Sequence, residues 1–182
     1  MGGVGGAWRR MGRAVARTPA GDEARALCAE QFRARGVRIE DIAALVLRVQ
    51  RPHLPDLELA DCLASVEAVL GKREVCHAVL TGIALDTLAE RGLLPEPLQT
   101  ALLHDDPLYG IDEVLALAVV NIYGSIGFTN FGHLDKVKPG IVGRVDRRGH
   151  APGRCNTFLD DLIAAVAAAA AARIAHGQPE RR

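Results

Sequence analysis

Two segments of the chain are almost entirely apolar, and each begins with a pair of acidic residues. Asp112 and Glu113 open a predicted helix over residues 111–123, and Asp160 and Asp161 open a second one that runs through the alanines to residue 176. A helix that is apolar on every side is buried all round. We therefore expect both helices inside the core, with their acidic ends close to the core or at the floor of a cleft.

The sequence pattern of the rest of the chain also predicts helices. Ile42, Leu45, Val46 and Val49 recur at the spacing of one amphipathic helix face. Further helices are predicted over residues 22–34, 57–70, 73–90 and 95–103, and the pattern contains no convincing strand alternation. The last helix is expected to begin near Thr157, with Asp160 three positions later as in a capping box.

The predicted fold class is therefore all-α. We expect one compact domain over residues 21–177 with about six or seven helices. A long loop rich in glycine and basic residues is predicted before the last helix, over residues 124–153. Residues 1–20 are predicted to be a disordered basic tail and residues 178–182 a second tail.

Composition excludes several classes of protein. The 182 residues carry 22 basic and 22 acidic side chains, so no global field favours nucleic acid as a partner. The four cysteines lie far apart without C-x-x-C spacing, which disfavours a zinc site and fits reduced thiols in a cytosolic protein. No signal peptide is recognisable, and no uninterrupted apolar stretch reaches the ~18 residues of a spanning helix. We therefore expect a cytoplasmic protein.

The acidic pairs have two explanations. Acids are favoured at any helix N-terminus by the helix dipole, and this alone accounts for many such pairs. Two acidic entrances to apolar helices in one chain favour a further role, because a buried ionised carboxylate needs a cation. If the entrances converge, they offer up to four oxygen ligands, which suits Mg²⁺. Asn121 lies about two turns after Glu113, near the same helix face.

Basic residues follow the first apolar segment. Asp135, Lys136 and Lys138 begin this stretch, and lysine or arginine beside glycine is suited to neutralising phosphate. Lys72 and Arg73 sit at a helix start, the wrong end for the helix dipole, which hints at a functional role. Other charged positions fit a solvated surface: Arg147, Arg148, and the pair Asp86 and Glu90, which could bind surface lysines.

Carboxylates that hold Mg²⁺ beside several cations indicate phosphate-ester hydrolysis or phosphoryl transfer. Six segments of the chain, in this order, match the motifs of one known family: Lys72-Arg73-Glu74-Val75, Thr81-Gly82-Ile83, Tyr109-Gly110-Ile111-Asp112-Glu113, Asn121 to Asn130, Asp135-Lys136-Val137-Lys138-Pro139-Gly140 and Phe158-Leu159-Asp160-Asp161. In them the sequence resembles the phosphatidylglycerophosphatase A family, and most closely its short branch from Gram-positive bacteria, labelled low-temperature-requirement C. The likeness covers roughly residues 22–176.

The resemblance implies an all-helical fold and Mg²⁺-dependent removal of phosphate from phosphatidylglycerophosphate, which gives phosphatidylglycerol. It implies that four acids bind metal or activate water, that Asp135 belongs to the catalytic set, and that five further residues contact the substrate. The four acids are Asp112, Glu113, Asp160 and Asp161; the substrate-binding residues are Lys138, Lys72, Arg73, Asn121 and Asn130.

The chain departs from the membrane-bound members of the family, which begin with a Gly-Thr-x-Gly-Ser segment and contain spanning helices. Its Gly124-Ser125 comes after the acidic pair instead. The enzyme would then work peripherally at the inner face of the cell membrane, helped by the four arginines among its first twenty residues. The alternatives are a hydrolase of a small soluble phosphate ester, and a non-catalytic helical protein that dimerises through its apolar helices.

Overall fold

The computed structural model describes residues 19–107 and 109–177. Within these ranges the chain forms one helical domain, which confirms the predicted all-α class. Of the predicted tails at residues 1–20 and 178–182, all but residues 19 and 20 lie outside the described residues. Nine α-helices and one short 3₁₀ helix are present in the described part: α1 Asp22–Ala34, α2 Ile39–Gln50, α3 Leu59–Leu70, α4 Arg73–Glu90, α5 Leu98–His104, α6 Ile111–Val120, the 3₁₀ helix Asn121–Tyr123, α7 Gly124–Val137, α8 Ile141–Gly149 and α9 Leu159–His176.

Helix α9 is the centre of the domain. It packs against α2, α3, α4, α6, α7 and α8, and every residue from Leu159 to Ala172 is buried. Its alanines bring little side-chain volume, so neighbouring helices can approach it from all sides. Buried polar groups near its C-terminal end are paired, because Gln50 and Ser65 donate hydrogen bonds to the carbonyls of Ala171 and Ala170, each at 3.0 Å. The predicted burial of this helix is confirmed.

The glycine-rich segment before α9 is not the long loop that the sequence predicted. Helices α7 and α8 occupy most of it, which raises the helix count above six or seven. Several of its glycines serve close packing. A Cβ on Gly127 would lie 3.1 Å from the Val120 carbonyl oxygen, and one on Gly143 would lie 2.3 Å from that of Lys138. Glycine here permits contact between backbones, and the sequence pattern alone does not separate that use from flexibility.

Helices α6 and α7 form a hairpin. By length and composition, residues 111–137 would be long and apolar enough to cross a membrane if they formed one helix. The chain instead reverses at the 3₁₀ helix, and Asp112 and Asp135 line the same cavity. One continuous helix would separate these two residues by about 34 Å. The predicted all-round burial of this segment is wrong, since Ile111 and Val114 are 52% and 59% exposed. No helix of the described ranges covers the outer face of the hairpin.

Candidate metal and phosphate site

The acidic entrances of α6 and α9 meet at one cavity of about 360 Å³. The last turns of α7 and the connection from α5 to α6 complete its wall. Lys138 is the one basic side chain among the described residues that line it. The carboxylates in the lining are Asp105, Asp106, Asp112, Glu113, Asp135, Asp160 and Asp161. The structure therefore brings together all four acids that the sequence singled out as metal ligands, together with Asp135 and Lys138.

Lys138 links two carboxylates at the edge of this cavity. Its Nζ donates to Asp160 Oδ2 at 2.8 Å and to Asp146 Oδ1 at 2.7 Å. Burial opposes the charged lysine, but the two ion pairs outweigh it and raise the pKa of Lys138. For Asp160, burial dominates over the attraction of Lys138 and raises the pKa to about 6. The ammonium therefore partly neutralises the acidic site and is held in a fixed position.

Asp161 has no such partner. It is 5% exposed, and no hydrogen bond to its carboxylate is found among the described residues. Burial raises the pKa of Asp161, and the neighbouring charges of Asp160, Asp135 and Asp112 raise it further. Burial also raises the pKa of the half-buried Asp112. Since a buried charge without a partner is costly, these carboxylates fit a site that a cation completes.

Two residues of the lining have strained backbones. Asp105 has φ 50° and Lys138 has φ 44°, and they are the non-glycine residues with positive φ in the described part of the chain. Such conformations cost about 1–3 kcal/mol and occur often at functional sites. At Lys138 the left-handed turn ends α7 and directs the chain into α8, where Gly143 leaves room for the lysine carbonyl. The strained backbone of Lys138 therefore sets the direction in which its side chain leaves the end of α7 toward the cavity.

The entrance of α9 is capped by a distant residue. Thr157 is not the cap that the sequence predicted, because its hydroxyl donates to the Leu102 carbonyl at 2.7 Å. Asp86 on α4 accepts from the backbone N–H of Phe158 at 3.1 Å and of Leu159 at 3.0 Å. It is fully buried, and burial raises its pKa to about 7 despite these hydrogen bonds. The expectation that Asp86 pairs with a surface lysine is wrong.

A second carboxylate of α4 holds the segment before α9. Glu90 accepts from the backbone N–H of Cys155 at 3.1 Å and forms a two-pronged ion pair with Arg35 at 2.8 and 2.9 Å. Arg35 also donates to the side chain of Asn156 at 2.8 Å. Glu90 therefore binds Arg35, the residue that follows α1, rather than a surface lysine.

Four of the predicted substrate-binding residues lie away from the cavity. Lys72 and Arg73 are at the start of α4, and Lys72 Nζ lies 4.9 Å from the centre of the Tyr123 ring. Arg73 lies about 20 Å along α4 from Asp86, whose carboxylate contacts the first turn of α9 beside the cavity. Asn121 is exposed at the end of α6, and Asn130 is half-buried on α7, with a buried amide nitrogen that has no partner in the described part. The structure does not bring these four to the acids.

A smaller cluster adjoins the cavity. Single ligand atoms of Asp105, Asp146 and His150 lie within 4.8 Å of one another. The sequence did not suggest a histidine near the acids, because Asp105 is more than forty positions from the other two. Asp105 and His150 are exposed, so this cluster lacks the burial that distinguishes the cavity.

The donor set of the cavity suits a hard divalent cation. Seven carboxylates face one lysine, and Asp161 points an unpaired buried carboxylate into the space. Oxygen ligands of this kind are those that Mg²⁺ takes in proteins. The same charge repels a phosphate ester unless cations offset it. A phosphate-binding role therefore requires a metal here.

The family of this chain follows from its similarity to known proteins. The profile named Phosphatidylglycerophosphatase A matches residues 36–176, which include every acid of the cavity. The chain belongs to the phosphatidylglycerophosphatase A family. Membership suggests a phosphatase, and phosphatases of this family are in general metal-dependent.

Relatives of the chain within the phosphatidylglycerophosphatase A family are known by sequence and by structure. The Bacillus subtilis protein YpjQ is 59% identical over 142 residues, 78% of each chain, and YutG from the same organism is 54% identical over 146 residues, 80% of this chain and 87% of its own. Both are named as uncharacterized proteins. The crystal structure of low temperature requirement C protein from Listeria monocytogenes superposes with a TM-score of 0.81 at 53% identity, covering 84% of this chain and 95% of the other. The predicted resemblance is confirmed.

Proposed function

We propose that the chain is a Mg²⁺-dependent phosphatase that hydrolyses the phosphomonoester of phosphatidylglycerophosphate and releases phosphatidylglycerol. The observation that carries this proposal is the convergence of two acidic helix entrances, with an unpaired buried Asp161, beside a fixed Lys138. Family membership supports the reaction class.

In this proposal Asp112, Asp160 and Asp161 hold the ion, and Glu113 stands at the exposed edge of the site. Bound Mg²⁺ offsets charge on the phosphate oxygens during hydrolysis. Lys138 orients a phosphate oxygen by a charge-assisted hydrogen bond, since its ammonium is already held at the cavity wall.

Asp135 is our candidate for the base. It lines the cavity from α7, and no ion pair to it is found in the described ranges. Its carboxylate accepts the proton of the attacking water as the new bond to phosphorus forms. The bond from phosphorus to the lipid oxygen breaks, that oxygen takes the proton that Asp135 accepted from the water, and inorganic phosphate and the lipid alcohol leave.

The rim of the cavity supports a lipid as the substrate. Ile111 and Val114 flank the lining residues Asp112 and Glu113, and Val137, 52% exposed, precedes Lys138. Five of the seven exposed large apolar side chains in the described part lie on the α6–α7 hairpin: Ile111, Val114, Ile126, Phe128 and Val137. Ile111, Val114 and Val137 belong to the end of the hairpin beside the cavity, and Ile126 and Phe128 lie near its turn. A substrate with a phosphate at one end and an apolar body fits such a mouth.

A peripheral position at the inner face of the cell membrane follows from the same proposal. The apolar rim would contact the bilayer, and arginines among the first twenty residues would attract anionic lipid by ~1 kcal/mol each. Binding to vesicles should therefore weaken as salt rises.

The test is phosphate release from a panel of substrates with and without Mg²⁺. Vesicles that contain phosphatidylglycerophosphate should release phosphate only with Mg²⁺, and glycerol 3-phosphate should react far more slowly. Preference for the water-soluble ester would favour the alternative hydrolase. No release from any substrate by folded protein whose stability Mg²⁺ does not change would favour a non-catalytic protein, and a dimer through the hairpin would then be sought.

Variants of the rim distinguish contact with the lipid from hydrolysis of the phosphate ester. Val114→Ser should raise KM for vesicles severalfold and leave the slower rate on soluble ester unchanged, because Val114 touches the bilayer rather than the phosphate. Leu93→Ser is the matched control, since Leu93 is 55% exposed on another part of the surface. Equal effects of the two variants would count against a role of the rim.

A further inference from the structure

Helix α4 contacts the first turn of α9 through the side chain of Asp86. The free N–H groups at a helix start need acceptors, which the residues just before the helix usually supply. In α9 the Phe158 position provides no side-chain acceptor, and Thr157 is engaged with Leu102. Asp86, more than seventy positions earlier, gives one carboxylate oxygen to Phe158 N–H and the other to Leu159 N–H.

The two helices touch closely at this place. Gly82 lies one turn before Asp86 on α4, and a Cβ there would lie 2.9 Å from Phe158 Cβ and 2.6 Å from Leu162 Cδ1. Only the absence of a side chain at Gly82 lets α4 approach the turn that Asp86 binds. The segment Thr81-Gly82-Ile83, one of the motifs that carry the family resemblance, thus has a structural role.

The residues that Asp86 holds come directly before the site acids. Leu159 is followed by Asp160 and Asp161, and within a helix the direction of a side chain is set by the backbone of its own turn. A shift of the Phe158–Leu159 backbone therefore moves both carboxylates relative to Asp112, which belongs to α6. Asp86 itself does not line the cavity, and besides this turn its carboxylate accepts only from the Cys155 thiol, at 3.5 Å, among the described residues, so its link to the site acids is the first turn of α9.

We propose that Asp86 is a positioning residue of the phosphatase: its buried carboxylate fixes the first turn of α9, so that Asp160 and Asp161 can share one divalent cation with the acids of α6. This inference rests on the proposed metal-dependent function. Side chains that support metal ligands typically change metal affinity by about 10- to 100-fold when they are removed.

The experiment compares Asp86→Asn with Glu90→Gln in the full chain. Asparagine keeps the shape but offers one acceptor and places an N–H group against a backbone donor. Glu90→Gln alters the same helix one turn later, where it binds Cys155 and Arg35 instead of the first turn of α9. Mg²⁺ affinity is measured by calorimetry on folded protein, with helix content checked by circular dichroism and kcat measured at several Mg²⁺ concentrations.

We expect Asp86→Asn to weaken Mg²⁺ binding by about tenfold or more, with kcat partly restored at high Mg²⁺, and Glu90→Gln to change the affinity less than about threefold. A purely structural role would lower the unfolding temperature and leave the affinity of the folded protein unchanged, which would overturn the inference. If wild type binds no Mg²⁺, the proposed function fails, and that outcome is distinct from an unchanged affinity in the variant.

A second variant covers the case in which Asp86→Asn does not fold. Gly82→Ala leaves the carboxylate in place and pushes the same turn through its added methyl group. The inference predicts weaker Mg²⁺ binding in folded Gly82→Ala protein. Wild-type affinity in that protein would show that the position of this turn does not govern the ion.

Discussion

The two acidic helix entrances look alike in sequence and differ in the structure. Asp160 and Asp161 begin a helix that six others surround, and both are buried. Asp112 is half-buried, and Glu113 is exposed on a helix whose outer face no other described helix covers. An apolar helix is thus not necessarily a central helix. Its burial depends on how many neighbours the fold can place around it, and alanines accept more neighbours than bulkier residues do.

The largest expected effect follows from this difference in burial. Asp161→Asn should lower Mg²⁺-dependent phosphate release by more than about 100-fold, beyond the range for residues that only support ligands. Glu113→Gln should lower it less than about tenfold, because an exposed charge contributes little. Rates of phosphate release at saturating substrate give both values. Equal losses in the two variants would show that the entrances contribute equally and that burial does not rank them.

Packing offers a second comparison between the same helices. Ala168→Leu on α9 should lower the free energy of unfolding by about 1–3 kcal/mol, because the added carbons have no space in a filled core. Ala118→Leu on α6 is the matched control and should change it by less than about 0.5 kcal/mol, since Ala118 is exposed. Urea unfolding at neutral pH measures both. A tolerated leucine at 168 would mean that α9 is less tightly enclosed than described.

A smaller effect should appear in the pH dependence of stability without Mg²⁺. The folded pKa values of Asp160 and Asp86, about 6 and about 7, lie above the ordinary value of 3.8. Between those values the folded protein binds more protons than the unfolded chain, so the free energy of unfolding falls as pH rises through that window. Added Mg²⁺ should reverse this trend, because it binds the deprotonated carboxylates.

Thermal unfolding in chelator and in Mg²⁺, at a series of pH values, checks the sign. Asp160→Asn should flatten the dependence in chelator, since it removes one of the carboxylates whose pKa is raised in the folded protein. Stability that rises with pH across the window in the absence of Mg²⁺ would contradict the assignment of buried, proton-binding carboxylates.

The sequence predicted the acids of the site better than their surroundings. Paired carboxylates before an apolar run are a local pattern, so Asp112, Glu113, Asp160 and Asp161 could be found without coordinates. Asp86 could not, because a single carboxylate inside a helix resembles a surface residue and its partners are more than seventy positions away. Local charge and the family resemblance both point to Lys72 and Arg73, but the length of α4 places them at its far end.

The glycines show a similar limit. A segment with a glycine every few residues is read as a loop, because glycine destabilises isolated helices by about 1 kcal/mol each. Gly127 and Gly143 instead allow contacts between backbones that a larger residue would prevent, and the packing compensates for the weak propensity. Such contacts involve the neighbouring helix and are therefore not visible in a local pattern.

The most direct test of the central claim is a crystal structure of the protein soaked with Mn²⁺, an ion that accepts the same oxygen ligands as Mg²⁺ and can be located by its anomalous scattering. The account predicts an anomalous peak inside the cavity, in contact with carboxylates of both Asp112 and Asp161. A peak only at Asp105, Asp146 and His150, or none at a saturating concentration of Mn²⁺, would contradict it.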